Sequence, residues 1–198
     1  MSALTRLKIG FKRLMYSPSG RDRRQRPDEI VAALAIRSGE TVVDLGSGTG
    51  YYTFRLAHAA GPTGRVWAVD TDADLLDDLE RQAARAGVAN LRTTHPRPDE
   101  AGLPEPADLV FLSHVYHHLP DRVAYFARLA RSLKPDGRVA IIEQRVQGLA
   151  RIFGHATDPD AVRREMVAAG YRLASSPDIT PHESFQIFRR PDDRPAAR

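Results

Sequence analysis

Three observations predict an α/β fold built on a doubly wound sheet of seven strands, mostly parallel, with an antiparallel C-terminal hairpin and helices on both faces. Short apolar runs alternate with amphipathic stretches of helical period, a glycine-rich turn follows the first run, and acidic residues stand at the ends of the first two. With 198 residues and 42% hydrophobic content, the chain has material for one full core. The expected organisation is a basic arm over 1–26, the main domain over 27–190 and a short tail over 191–198.

Residues 27–37 read as the first helix of that domain, with Pro27 at its start and Ser38-Gly39 at its end. Strands follow at 41–45, 66–70, 91–94, 108–112 and 138–143, and helices near 50–60, 72–86, 121–132 and 158–169. Such alternation implies parallel neighbours joined by right-handed crossovers. The runs near 171–175 and 184–189 have no helix between them, so they are expected to pair antiparallel at the sheet edge. Trp67, in a buried parallel strand, and Tyr52 and Phe54, in the helix after the glycine turn, read as packing residues.

The turn itself is Asp44-Leu45-Gly46-Ser47-Gly48-Thr49-Gly50, at the end of the run Thr41-Val42-Val43. Alternate glycines strip the bend of Cβ atoms, so the backbone N–H groups of Gly46, Ser47, Gly48 and Gly50 can close on a nucleoside-type ligand. A dinucleotide fingerprint reads G-x-G-x-x-G, whereas here the spacing is G-x-G-x-G and Tyr51 stands where that motif has its last glycine. Asp44 adds a carboxylate that repels a diphosphate and attracts an amine or a sulfonium. S-adenosylmethionine carries both cations. Asp70, about 20 residues beyond the turn and at the tip of the next strand, is placed to accept from both ribose hydroxyls.

With these two motifs the chain resembles the class I S-adenosylmethionine-dependent methyltransferases, whose fold is Rossmann-like. The likeness continues over roughly 27–190. Ala107 to Leu112 with Ser113-His114-Val115-Tyr116-His117-His118-Leu119-Pro120-Asp121 resembles strand four and its loop in the branch of ubiquinone and menaquinone methyltransferases. Leu133-Lys134-Pro135-Asp136-Gly137-Arg138, leading into Val139 to Glu143, is similar to that branch's turn into strand five. Arg163 to Met166, Ala169 to Leu173 and Phe185 to Phe188 resemble its last helix and closing strands. The resemblance implies a cofactor lying across the carboxyl ends of strands one, two and four, with Ser113 among its contacts. Thr71 follows the ribose acid where the family usually has an apolar residue against the purine. Asp99 falls where an acid after strand three accepts from the adenine amino group, a solvated loop acid being the alternative.

Methyl transfer from a sulfonium asks for alignment, exclusion of water and removal of a proton where the nucleophile carries one. His114, leaving strand four, is the candidate base or acceptor contact; a histidine bonded to backbone is the alternative. Tyr51 matches a position that faces the reacting groups in similar enzymes. Glu143, ending strand five, reads as an acceptor contact or an ion-paired structural acid, and His155 lies in a loop where acceptor elements are often inserted. His117 and His118 read as helix-entry residues. The His114-x-x-His117-His118 cluster lacks the Glu of H-E-x-x-H and any cysteine, so no metal site is assigned.

What the sequence excludes narrows the chemistry. Without cysteine there are no disulfides, no thiolate metal sites and no cysteine nucleophile. No run approaches the roughly 20 apolar residues of a membrane span and the N-terminus lacks a secretory apolar core, so a cytoplasmic location is expected. Ser113-His114-Val115-Tyr116 replaces the Asn/Asp-Pro-Pro-Tyr-like turn of enzymes that methylate exocyclic amines, which disfavours nucleobases as acceptors and leaves a small organic molecule as the simplest one.

Residues 1–26 carry eight basic side chains against Asp22 alone, while the formal charge of the whole chain is +4. Leu4, Leu7, Phe11, Leu14 and Met15 recur there at helical spacing. A lid over the cofactor is the first reading of this arm, contact with an anionic lipid surface the second, nucleic-acid binding the third, and an organellar transit peptide is a further alternative. Two competing functions follow: a methyltransferase acting on RNA or protein through the arm, and a noncatalytic module that binds the cofactor. The residues carry no signal for oligomeric state.

Overall fold

The computed structural model describes residues 18–96, 103–145 and 157–190. Its seven strands are ordered β3-β2-β1-β4-β5-β7-β6, with β1, β2 and β3 paired parallel, β4 and β5 paired parallel and β7 antiparallel to both β5 and β6, which is the expected mostly parallel sheet with an antiparallel C-terminal hairpin. The chain divides at Pro96/Arg97 into two compact units.

The first unit holds α1 (Pro18–Gln25), α2 (Pro27–Ala33), β1 (Thr41–Leu45), α3 (Thr53–Ala60), β2 (Arg65–Val69), α4 (Ala73–Ala86) and β3 (Leu91–Thr94). β1 pairs parallel with β2 from Thr41↔Arg65 to Leu45↔Val69, and β2 with β3 from Val66↔Leu91 to Val69↔Thr94. Every residue of β1 is buried, as expected of a central strand covered on both faces. α4 starts at a capped turn, where the Asp72 side chain accepts from Leu75 N, and stops at Gly87 with φ +68°. Its Leu79 and Ala83 pack with Ala68 and Leu91, and Phe54 and Val88 close over them.

Three expectations need adjusting here. The helix expected over 27–37 ends at Ala33, because Ala35 turns left-handed (φ +49°) without waiting for a glycine. The helix expected near 50–60 begins only at Thr53, because Gly50 (φ +83°) lies outside helical backbone. Trp67 is half-buried rather than enclosed, whereas Tyr52 is buried as expected.

The second unit holds β4 (Ala107–Ser113), a 3₁₀ turn at Tyr116–His118, α5 (Arg122–Leu129), a second 3₁₀ turn at Ala130–Ser132, β5 (Leu133–Gln144), α6 (Pro159–Ala168), β6 (Arg172–Ser175) and β7 (Glu183–Arg189). β4 and β5 are parallel, with Leu109↔Arg138 through Ser113↔Ile142. β5 and β7 are antiparallel, from Arg138↔Arg189 to Gln144↔Glu183. β5 starts earlier than the expected 138, since Leu133 already bridges to Ala107 ahead of the Pro135-Asp136-Gly137 irregularity. The Arg122 guanidinium forks onto Glu165 at 2.6 and 2.8 Å, and Tyr116 donates to the same carboxylate at 2.6 Å, which ties the loop and α5 to α6. Those donors, Arg122 first, hold the Glu165 carboxyl below its usual range.

Candidate functional site

The glycine turn is tied to the strand beside it. Gly46 N and Ser47 N both donate to Val69 O, at 2.7 and 3.0 Å, and Gly48 N donates to Asp70 Oδ2 at 2.8 Å. Asp70 Oδ1 accepts from Asp72 N at 3.0 Å. Asp70 is therefore fixed by two backbone donors at the mouth of the turn, half-buried, with acceptor capacity left on a carboxylate that has about four lone-pair sites. Gly46, Gly48 and Gly50 all have positive φ, of 77°, 55° and 83°, a region that penalises any side chain. At Gly50 an added Cβ would run into Leu79 Cδ1 of α4, so this glycine also allows the helix to approach the turn.

Asp44 lies deeper, 3% exposed, with Thr53 Oγ1 donating to its Oδ2 at 2.6 Å. Burial pushes its carboxyl up to about 7; the Thr53 hydrogen bond opposes that shift, Asp70 adds to it and the charge of Arg21 works against it. An acid in that state is poised to ionise when a cation arrives. Ser47 completes the turn: it is 8% exposed and its Oγ is buried without a hydrogen-bond partner. A buried hydroxyl in that condition fits a site shaped for a polar ligand. Gly48 points the same way, because a Cβ there would meet nothing within 4 Å, so the turn opens onto space rather than onto packed side chains. These residues fit S-adenosylmethionine, which offers hydroxyl and ammonium donors to carboxylates and a sulfonium that prefers negative surroundings. Thr71 is exposed beside Asp70. Asp99 and His155 lie outside the described residues, as do residues 1–17 and 191–198.

Tyr51 follows the turn and is held from α1. Its hydroxyl donates to Asp22 Oδ1 at 2.5 Å, and the guanidinium carbons of Arg21 and Arg55 sit 3.9 and 4.9 Å from its ring centroid. Burial and the Asp22 contact raise its phenol well above the ordinary tyrosine range, so it is a neutral donor and not a phenolate base. Arg21 and Asp22 were missed as individual residues by sequence reasoning, although the lone acid of the basic arm was the available signal.

In the second unit, His114 follows β4 with φ +58°, and its Nε2 is 2.8 Å from Glu183 Oε1. His117 Nδ1 is 2.9 Å from Glu143 Oε2, so this ring reaches β5. Glu143 is fully buried, and its second oxygen, Oε1, has no hydrogen-bond partner; the same holds for Ser113 Oγ. α5 takes its cap from Asp121, whose Oδ1 accepts from Ala124 N at 3.3 Å. His118, exposed, stacks obliquely on His117 with centroids 4.0 Å apart. Glu183 was not legible as a site residue, since it lies 69 residues from the histidine it meets.

An open, mostly parallel sheet with a glycine turn and strand-end carboxylates defines a nucleoside-binding α/β protein. Residues 43–139 match the family model described as a methyltransferase domain. A demethylmenaquinone methyltransferase of Geobacillus sp. (strain WCH70) is 25% identical over 117 residues, 59% of this chain and 50% of that protein. A ubiquinone/menaquinone biosynthesis C-methyltransferase of Saccharophagus degradans is 31% identical over 111 residues, 54% of this chain and 44% of that protein. The chain thus spans about half the length of these curated relatives. Its fold is shared with a SAM-dependent methyltransferase from Aquifex aeolicus at a TM-score of 0.77 and 21% identity, covering 91% of this chain and 97% of that one. Over residues 43–139 the chain is thus similar to a methyltransferase domain and to the ubiquinone and menaquinone enzymes, and its fold is that of the class I S-adenosylmethionine-dependent methyltransferases. S-adenosylmethionine is the cofactor of that class. Among the described residues no helix is long and apolar enough to cross a membrane.

Proposed function

We propose that this chain transfers a methyl group to a small organic acceptor. The observation that carries the reading is the Asp70 clamp: one carboxylate fixes the glycine turn through Gly48 N and keeps acceptor capacity for a diol. S-adenosylmethionine supplies the activated methyl, already a good electrophile on sulfur.

Each residue of the turn has a task under this reading. Asp70 receives the ribose hydroxyls, and Asp44, ionising as the cation approaches, receives the ammonium. The backbone of Gly46, Ser47, Gly48 and Gly50 lines the nucleoside. Ser47 and Ser113 offer hydroxyls that have no hydrogen-bond partner of their own. Arg21, whose charge already acts on Asp44, meets the cofactor's carboxylate. Tyr51 braces α1 against the turn, and Asp99 takes the adenine amino group. His114 removes the acceptor's proton, and Glu143 braces the neighbouring histidine. The relatives named for quinone precursors support an acceptor of low mass.

Incubating the chain with radiolabelled methyl donor and fractionated cell extract tests this directly. Label is expected in the low-mass fraction, and calorimetry is expected to detect uptake of adenosylhomocysteine. Label in RNA or polypeptide, or heat from NAD or ATP with none from adenosylhomocysteine, would overturn the reading.

A further inference from the structure

We infer that Glu183 is a positioning residue of the acceptor site: its carboxylate fixes the imidazole of His114 so that Nδ1 presents its lone pair to the acceptor's proton. The inference rests on the methyltransferase reading proposed above.

His114 is held at two points. Its backbone N donates to Ile142 O at 2.9 Å, continuing the β4–β5 ladder one residue past the strand, and its Nε2 meets Glu183 Oε1 at 2.8 Å. Between these points its backbone is left-handed at φ +58°, a region that a residue with a Cβ seldom occupies. A chain relaxed at this position would place the ring elsewhere. The strain persists because the carboxylate and the ladder over-determine the conformation.

Glu183 is itself anchored. It opens β7 opposite Gln144 and is 7% exposed. Arg145 Nε donates to its carbonyl at 3.0 Å, Arg145 N donates to His182 O at 2.9 Å, and the far end of the same guanidinium holds Asp178 at 3.2 Å. The carboxylate therefore approaches the ring from a fixed backbone. Ionised, it can only accept, so it selects the neutral imidazole that carries hydrogen on Nε2 and leaves the lone pair on Nδ1. Among the described residues Glu183 is the only hydrogen-bond partner of the His114 ring.

The second pair shows what a purely structural arrangement looks like. His117 spends Nδ1 on Glu143, its side chain is 11% exposed, and its carboxylate partner is wholly enclosed. The His114 side chain is 22% exposed and keeps Nδ1 outside its pair. Of the two paired rings, His114 is the more exposed and has its Nδ1 outside the pair.

In the transfer step the acceptor heteroatom forms its bond to the methyl carbon as the carbon–sulfur bond breaks, with the electron pair remaining on sulfur. The acceptor's proton goes to His114 Nδ1. Glu183 stabilises the imidazolium until that proton leaves to water.

Nitrogen-resolved NMR of the imidazole rings tests the geometry without any acceptor, with His114→Asn identifying the signal. The neutral ring of His114 is expected as a single Nε2–H tautomer. Glu183→Ala should abolish that preference, while Glu183→Gln retains it through the amide oxygen and so guards against a folding defect in the alanine variant. Adenosylhomocysteine affinity should stay within about twofold in both variants, and methyl transfer to the low-mass fraction should fall by about a hundredfold in Glu183→Ala. An Nδ1–H tautomer in the wild-type chain, or an unchanged tautomer in Glu183→Ala, would overturn the assignment. Failure of the wild-type chain to take up adenosylhomocysteine would instead sink the methyltransferase reading and leave the tautomer result standing.

Discussion

The glycine turn of the first unit and the paired histidines of the second are both polar constructions at strand ends, but they are built on different scales. In the turn the decisive contacts span shorter separations: Thr53 to Asp44 across nine positions and Gly48 to Asp70 across 22. The histidine pairs join residues 26 and 69 positions apart. The turn satisfies its carboxylates with backbone N–H groups and a hydroxyl, whereas each histidine needs a side chain from another strand. A site made of local backbone geometry is written in consecutive residues; one made of strand pairing exists only once the sheet has formed.

The largest expected effect falls on the local construction. Asp70→Ala removes the acceptor of two backbone N–H groups and the proposed partner of two ribose hydroxyls. Hydrogen bonds to a charged group contribute about 1.5–3 kcal/mol each, so adenosylhomocysteine affinity should drop by about a hundredfold or more. Calorimetry on the folded variant checks this. Binding within threefold of wild type would mean that the turn's geometry, and not its carboxylate, holds the ligand.

That contrast also explains what was legible. The spacing of three glycines, Asp44 and Asp70 identified the turn because a sharp bend has few sequence solutions, and the strands followed from apolar runs a few residues long. The start at Thr53 and the end at Ala33 differ from the expected bounds because the deciding feature is a single left-handed backbone, at Gly50 and at Ala35, and alanine gives no warning of it. Strand five was started late because Pro135-Asp136-Gly137 looks like a turn, while the ladder tolerates it beside Ala107. Glu183 and the His117–Glu143 pair were invisible for want of a register between β5, β7 and the loop after β4.

A middle-sized effect comes from Asp44. Burial pushes its carboxyl up to about 7 in the folded chain, from an ordinary value of 3.8, so the folded chain binds this proton more tightly than the unfolded one. The stability it contributes is fully present below the lower value and is lost as pH rises through about 7. Asp44→Asn cannot ionise and should lose nothing on that rise, so its thermal stability relative to wild type should improve between about pH 4 and pH 7 and then level. Cofactor binding should move the other way. Wild-type affinity for adenosylhomocysteine should rise with pH until Asp44 is ionised and then level, while the asparagine variant binds about tenfold more weakly above that point. Parallel pH profiles of the two proteins would remove Asp44 from the site.

The smallest effect tests whether the first unit's turn is self-sufficient or depends on α1. Tyr51→Phe keeps the ring under Arg21 and Arg55 but deletes the hydroxyl that donates to Asp22. Arg55 still reaches the same Asp22 oxygen at 3.4 Å and Asp28 at 3.0 Å, so the aspartate does not lose every partner. The loss should amount to about 1 kcal/mol of stability, readable as a shift of the denaturant midpoint with unchanged slope. The more telling readout is the ligand. If α1 only covers the turn, adenosylhomocysteine affinity should fall by no more than about threefold, because Asp44, Asp70 and the glycine backbone remain in place. A fall approaching that of Asp70→Ala would show that the hydroxyl of Tyr51, and through it Arg21 and Asp22, belongs to the binding geometry itself, and the local character assigned to the turn would have to be extended to α1.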